Sequence, residues 1–139
     1  MKRILLDTNA YARFFGGDEG VLDALGQAET VYLSAIVMGE LYAGFRGGNK
    51  LQENRRQLSQ FLQKSTVRPL DITTETAEVF GQVKDTLKQA GTPIPMNDVW
   101  IAAQAIETGS VIVTFDQHFH KVPGLRLWDG GDSGLALAR

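Results

Sequence analysis

The chain has 139 residues, a formal net charge of -2, and 43% hydrophobic against 22% charged residues, the profile of one globular domain with room for a mixed core. It contains no cysteine, which excludes disulfides, thiolate metal sites and cysteine nucleophiles and fits a cytoplasmic location. The apolar run before Asp7 is too short for a signal-peptide core, no window reaches the length of a membrane span, and the net charge gives no overall pull toward nucleic acid.

Ile4-Leu5-Leu6 reads as a strand buried on both faces, and it stops at Asp7. Gly16, Gly17 and Gly20 break the chain, and Val21 to Ala28 reads as a short helix. Val31-Tyr32-Leu33 is a second strand, with Ser34 placed to cap the helix AIVMGELYAGF, which Gly47-Gly48 ends. Leu51 to Lys64 starts another helix, with Leu51, Leu58, Phe61 and Leu62 roughly on one side. Val67 to Ile72 is strand-like, and Pro69 assigns it to an edge or to an early strand position. Thr73 to Ala90 carries Ala77, Phe80, Val83 and Leu87 at helical spacing and closes on Gly91. Asn97 or Asp98 is placed to cap a helix that is apolar on almost every side, from Val99 to Ile106. Strands at Val111–Phe115 and Leu125–Trp128 follow, and DGGDSGLALAR shows no clear period. Strands alternating with helices mean an α/β fold, a parallel sheet covered on both faces. Residues 1–129 form the single domain and 130–139 a loose tail.

Four carboxylates occupy informative places. Asp7 and Asp116 each end a strand, where ligands gather in open α/β sheets, although each is also good turn chemistry. Glu40 lies at helical spacing from Ile36, Val37, Ala43 and Gly44, so it shares an apolar stripe, where a glutamate requires a partner unless it sits at the rim. Asp98 stands at the mouth of its apolar helix. All four can meet at one edge of a parallel sheet, and such a group is tolerable only with cations among them or with protons retained. Oxygen-only donors favour Mg²⁺ or Mn²⁺, and a carboxylate-held pair of such ions suits phosphodiester hydrolysis.

The blocks LLDTNAY, SAIVMGELYAG, GTPIPMNDVWIAAQA and VIVTFDQHFHKVPGLRLW, in that order, resemble PIN-domain ribonucleases, most closely the VapC-type toxins of bacterial toxin–antitoxin pairs. The resemblance covers nearly the whole chain except the tail. It implies a parallel sheet of about five strands flanked by helices. It also implies RNA cleavage with Mg²⁺ or Mn²⁺, a homodimer, and silencing by a VapB-like antitoxin whose tail plugs the acidic site. Carried over residue by residue, it makes Asp7 the first metal-binding aspartate, Glu40 the helical glutamate, Asp98 the third acid and Asp116 the last. Thr8, Asn9, Asn97 and Thr114 adjoin these acids and are expected to orient metal-bound waters. The segment after Asp116 departs from the pattern: relatives often carry further acidic or polar residues there, and this chain has Gln117, His118 and His120. These histidines read as loop residues, since two alternate positions supply too few ligands for a transition metal, with His118 a candidate phosphate contact.

Between Arg46 and Arg68 six basic residues face one acid, Glu53. Within it Arg46, Lys50, Arg55 and Arg56 are the candidate RNA-backbone contacts, against the plainer reading of a solvated helix face. The leading expectation is therefore a Mg²⁺-dependent endoribonuclease acting as a toxin. The alternatives are a housekeeping PIN nuclease without an antitoxin, and a non-catalytic module that binds RNA or a partner. The retention of all four acids speaks against the last. A phosphatase of the haloacid-dehalogenase kind wants a second aspartate two residues after Asp7, where this chain has Asn9.

Overall fold

The computed structural model describes residues 2–128 and 135–137. In chain order the elements are β1 (Arg3–Leu6), α1 (Thr8–Phe15), α2 (Glu19–Gln27), β2 (Thr30–Ser34), α3 (Ala35–Gly47), α4 (Leu51–Leu62), β3 (Val67–Leu70), α5 (Thr74–Ala90), α6 (Met96–Thr108), β4 (Val111–Val113), a 3-10 turn (Gln117–Lys121), β5 (Arg126–Trp128) and β6 (Leu135–Leu137). They build one sheet in the order β3-β2-β1-β4-β5-β6. The first five strands are parallel, as expected, and β6 adds an antiparallel edge against β5. Most of the stretch 130–139, which the sequence pattern assigns to a loose tail, lies outside the described residues. No helix among the described residues is long and apolar enough to cross a membrane.

The central position of β1 follows from its composition. Ile4, Leu5 and Leu6 are fully buried, which a strand covered on both faces requires. Pro69 sits in β3, at the sheet's edge, where the missing amide removes no ladder bond on the open side. The chain winds outward from β1 through β2 to β3. Helices α5 and α6 then return it past β1 to β4, and winding continues the other way to β5. Strands β1 and β4 are thus neighbours wound in opposite directions, and that reversal leaves a crevice at their carboxyl ends.

Two differences from the sequence pattern bear on the crevice. Residues 8–15, passed over because of the glycines that follow, form α1, with Asp7 as N-cap. What holds this short helix is a contact distant in sequence: Phe61 of α4 is buried, with ring centroids 5.3 Å from Tyr11 and 5.4 Å from Phe14. Conversely, neither Asn97 nor Asp98 caps α6. Pro95 holds the cap position, no side chain makes the capping bond, and both residues lie inside the first turn. The Asp98 amide donates instead to the Pro95 carbonyl at 3.0 Å, so the proline's extended backbone supplies what an Asn or Asp side chain normally would.

The remaining helix signals hold. Ser34 caps α3 by accepting from the Ile36 amide, Thr73 and Thr76 cap α5 reciprocally, and Gly91 closes it at φ 69, a left-handed conformation that glycine adopts without strain. Helices α5 and α6 pack closely, with Phe80 stacked on Trp100 at 3.9 Å. Gln104, fully buried in α6, donates to the carbonyls of Leu70 and Asp71 and so ties the helix to the end of β3. Phe61→Ala should cost about 3–5 kcal/mol in urea unfolding, because it empties the socket of α1 as well as its own volume.

Candidate active site

Asp7 follows β1 directly and continues its pairing, its amide donating to the Val113 carbonyl at 3.2 Å. The side chain is almost wholly buried, at 5% exposure. One oxygen accepts from the Ala10 amide at 2.8 Å, which caps α1. The other accepts from the hydroxyl of Thr114 at the end of β4. Cap and site are therefore the same residue, because each carboxylate oxygen has more than one lone pair to offer.

Asp116 lies two residues beyond Thr114, whose Oγ1 accepts its amide at 2.9 Å. Asp116 in turn caps the 3-10 turn by accepting from the His118 amide at 2.9 Å. That turn brings the His118 ring back over the acid, with Nδ1 3.0 Å from Asp116 Oδ1 and 2.9 Å from Asp98 Oδ2. Asp98 reaches the same point from the first turn of α6. One donor atom each from Asp98, Asp116 and His118 lie within 4.8 Å of one another, and all three residues are half-buried.

Glu40 is half-buried on α3, and the stripe inferred around it needs correction. The buried residues of α3 are Val37 and Leu41, whereas Ala43 and Gly44 are exposed, so Glu40 stands at the rim facing the crevice. Thr8 donates to its Oε1 at 2.7 Å and Asn97 to its Oε2 at 3.4 Å. Glu40 is thus linked to the turns that carry Asp7 and Asp98, but it is not in the tight group with Asp116 and His118. Asn9 is exposed on α1. Arg46, Lys50, Arg55 and Arg56 are all exposed around the junction of α3 and α4, with the Arg55 guanidinium 5.8 Å from the Tyr42 ring centroid.

The electrostatics carry the mark of crowding. Burial pushes the Asp7 carboxyl up to about 6; the Thr114 hydroxyl and Ala10 amide oppose this, and the charges of Asp116 and Asp98 add to it. Asp98 is also raised, first by burial and then by Asp116 and Glu40, against the lowering effect of His118. Asp7 and Asp98 thus feel neighbouring negative charge as well as burial, and a divalent cation beside them would relieve both. The donor set, carboxylate oxygens with one imidazole nitrogen beside them, fits such an ion. His118, read from the sequence as a loop residue, lies in the 3-10 turn Gln117–Lys121. The structure brings the ring of His118 to Asp98 and Asp116.

The PIN domain family model matches residues 4–125, and the chain belongs to this family. Its curated relatives include a ribonuclease VapC2 of Rickettsia felis, 31% identical over 78% of this chain and 81% of the relative. Another is a tRNA(fMet)-specific endonuclease VapC of Salmonella typhimurium, 32% identical over 70% of this chain and 73% of that protein. The fold is similar to a chain in the crystal structure of DNA-bound VapBC from Salmonella typhimurium, with TM-score 0.81 and 28% identity over 94% of this chain and 100% of that one. It is also similar to a chain in the VapBC2 structure from Rickettsia felis bound to a promoter DNA fragment, with TM-score 0.78 and 27% identity over 90% and 96%.

The buried Asp7 has a stability consequence whose sign is fixed. Its folded carboxyl titrates near 6 against 3.8 as reference, so the unfolded chain gives up its proton first as pH rises. The stabilising share of the protonated group is complete below about pH 4 and is lost as pH rises through about 6. In the metal-free protein Asp7→Asn should therefore be more stable than the parent by about 1–3 kcal/mol at pH 7, with the advantage shrinking toward pH 4. Urea unfolding in chelator at the two pH values measures it.

Proposed function

We propose that this chain is a metal-dependent endoribonuclease that hydrolyses RNA phosphodiester bonds and acts as the toxin of a VapBC-type pair, silenced by a VapB-like antitoxin. The observation that carries the reading is the meeting of Asp98 and Asp116, from α6 and from the end of β4, at a crevice where the buried Asp7 feels the charge of both. The relatives named as VapC ribonucleases and the solved VapBC complexes support the activity and the partner. The family resemblance adds the expectation of a homodimer.

Asp7, Glu40, Asp98 and Asp116 would hold Mg²⁺ or Mn²⁺ as metal-binding and catalytic residues. A divalent ion so held supplies Lewis acidity: it makes water a competent nucleophile near neutral pH and stabilises charge on the departing oxygen. The protein's own share is positioning. Thr114 fixes Asp7 from one side while the α1 amide fixes it from the other, leaving little rotational freedom at the deepest acid. Thr8 and Asn97 hold both oxygens of Glu40, and so set its direction across the crevice. Arg46, Lys50, Arg55 and Arg56 would hold the RNA backbone through non-specific contact with its phosphates, which makes binding salt-sensitive.

Purified protein incubated with total RNA, with and without Mg²⁺, followed by mapping of the cut ends, tests the reading. Cleavage should require the metal, and Asp98→Asn should reduce it at least about 100-fold with secondary structure intact. A folded Asp98→Asn variant that cuts like the parent would overturn the mechanism.

A further inference from the structure

We infer that His118 is itself a metal ligand, so that this chain's centre is a mixed nitrogen–oxygen site with a preference for Mn²⁺ over Mg²⁺. The inference rests on the metal-centre reading above and concerns which side chains complete it.

The argument begins with the local turn. Asp116 accepts from the His118 amide at 2.9 Å, which holds the backbone of His118 beside the acid. The ring then has its Nδ1 2.9 Å from Asp98 Oδ2 and 3.0 Å from Asp116 Oδ1. Donors in adjacent positions on an octahedral ion, each about 2.1 Å from it, are separated by about 3.0 Å. The same separations are those of a hydrogen bond donated by Nδ1–H to the carboxylates, and they are also the spacing of neighbouring donors on one ion, so a cation would take the place of that proton. A neutral imidazole offers an acceptor lone pair at either nitrogen, and here it is Nδ1 that faces the carboxylates. All three residues are half-buried. His120, two places further along the same turn, is outside the group.

The preference follows from the donor. Oxygen-only sites suit Mg²⁺, which tolerates nitrogen poorly, whereas replacing one oxygen by imidazole favours first-row transition ions. The rest of the group is carboxylate, which keeps Mn²⁺ within the site's compass.

Untagged, metal-free protein loaded with Mn²⁺ below one equivalent and measured by pulsed electron paramagnetic resonance gives a readout independent of activity. The expected result is nitrogen modulation from a directly bound imidazole. The chain has two histidines, so its persistence in His120→Ala assigns it to His118, and His118→Ala should abolish it. In titrations His118→Ala should weaken Mn²⁺ binding about tenfold and Mg²⁺ binding by less than about twofold. Bound Mn²⁺ without nitrogen modulation in the parent protein overturns the inference and leaves an oxygen-only centre standing. A parent protein that binds no Mn²⁺ overturns the inference and the metal-centre reading together. The parent and His120→Ala spectra decide the matter even if His118→Ala fails to fold.

Discussion

Like charge gathered where water is scarce is the constraint on which the rest of this structure depends. Asp7 is buried against the sheet, Asp98 and Asp116 share one histidine, and Glu40 leans in from α3. Left alone such a group works against folding: burial first, and then the charges of Asp116 and Asp98, push the Asp7 carboxyl upward. The polar groups around it offset part of the cost: the Ala10 amide and Thr114 hydroxyl at Asp7, the His118 ring at Asp98, and Thr8 with Asn97 at Glu40. What they do not offset is the sum of the negative charge, and that remainder is what a divalent cation would neutralise.

The fold creates the place before any side chain fills it. Because winding reverses between β1 and β4, the loops after these strands diverge, and the crevice between them belongs to the backbone topology. Two of the acids enter it as caps. Asp7, directly after β1, caps α1, and Asp116, three residues past the last residue of β4 rather than at its end as the sequence suggested, caps the 3-10 turn, so the residue that starts each helical segment is also aimed at the crevice. Capping does not consume the carboxylate, and local folding and site construction proceed through the same hydrogen bonds. α6 does something different. Its cap is a proline, which frees Asn97 and Asp98 to point outward from the first turn rather than back at the helix.

Much of this was legible in the sequence, and the exceptions share a cause. Continuous apolar runs marked β1 and β4, Pro69 marked the edge strand, and the four acids were singled out as candidates from their places in the pattern; of these the structure brings Asp98 and Asp116 into one tight group. The parallel sheet followed from the alternation of elements, and its count of about five strands was what the family resemblance implied. Helix α1 escaped because it is only eight residues long and paired glycines follow it at once; its aromatic face, Tyr11 and Phe14, packs on Phe61, far along the chain. The apolar stripe around Glu40 was overdrawn because spacing alone cannot tell a buried alanine or glycine from an exposed one, and Ala43 and Gly44 turned out exposed. The cap at Asn97 or Asp98 failed because residue type suggested a role that backbone geometry had already given to Pro95. The nearness of His118 to Asp98 was not legible, because those two residues lie twenty positions apart and meet only in three dimensions.

The most direct test of the central claim is diffraction from crystals soaked in Mn²⁺, with data collected where manganese scatters anomalously. The account predicts an anomalous peak in contact with Asp98 and Asp116, at the crevice beside Asp7. A well-ordered crevice that stays without a peak at saturating Mn²⁺, with these carboxylates still hydrogen-bonded only to protein groups, would contradict it.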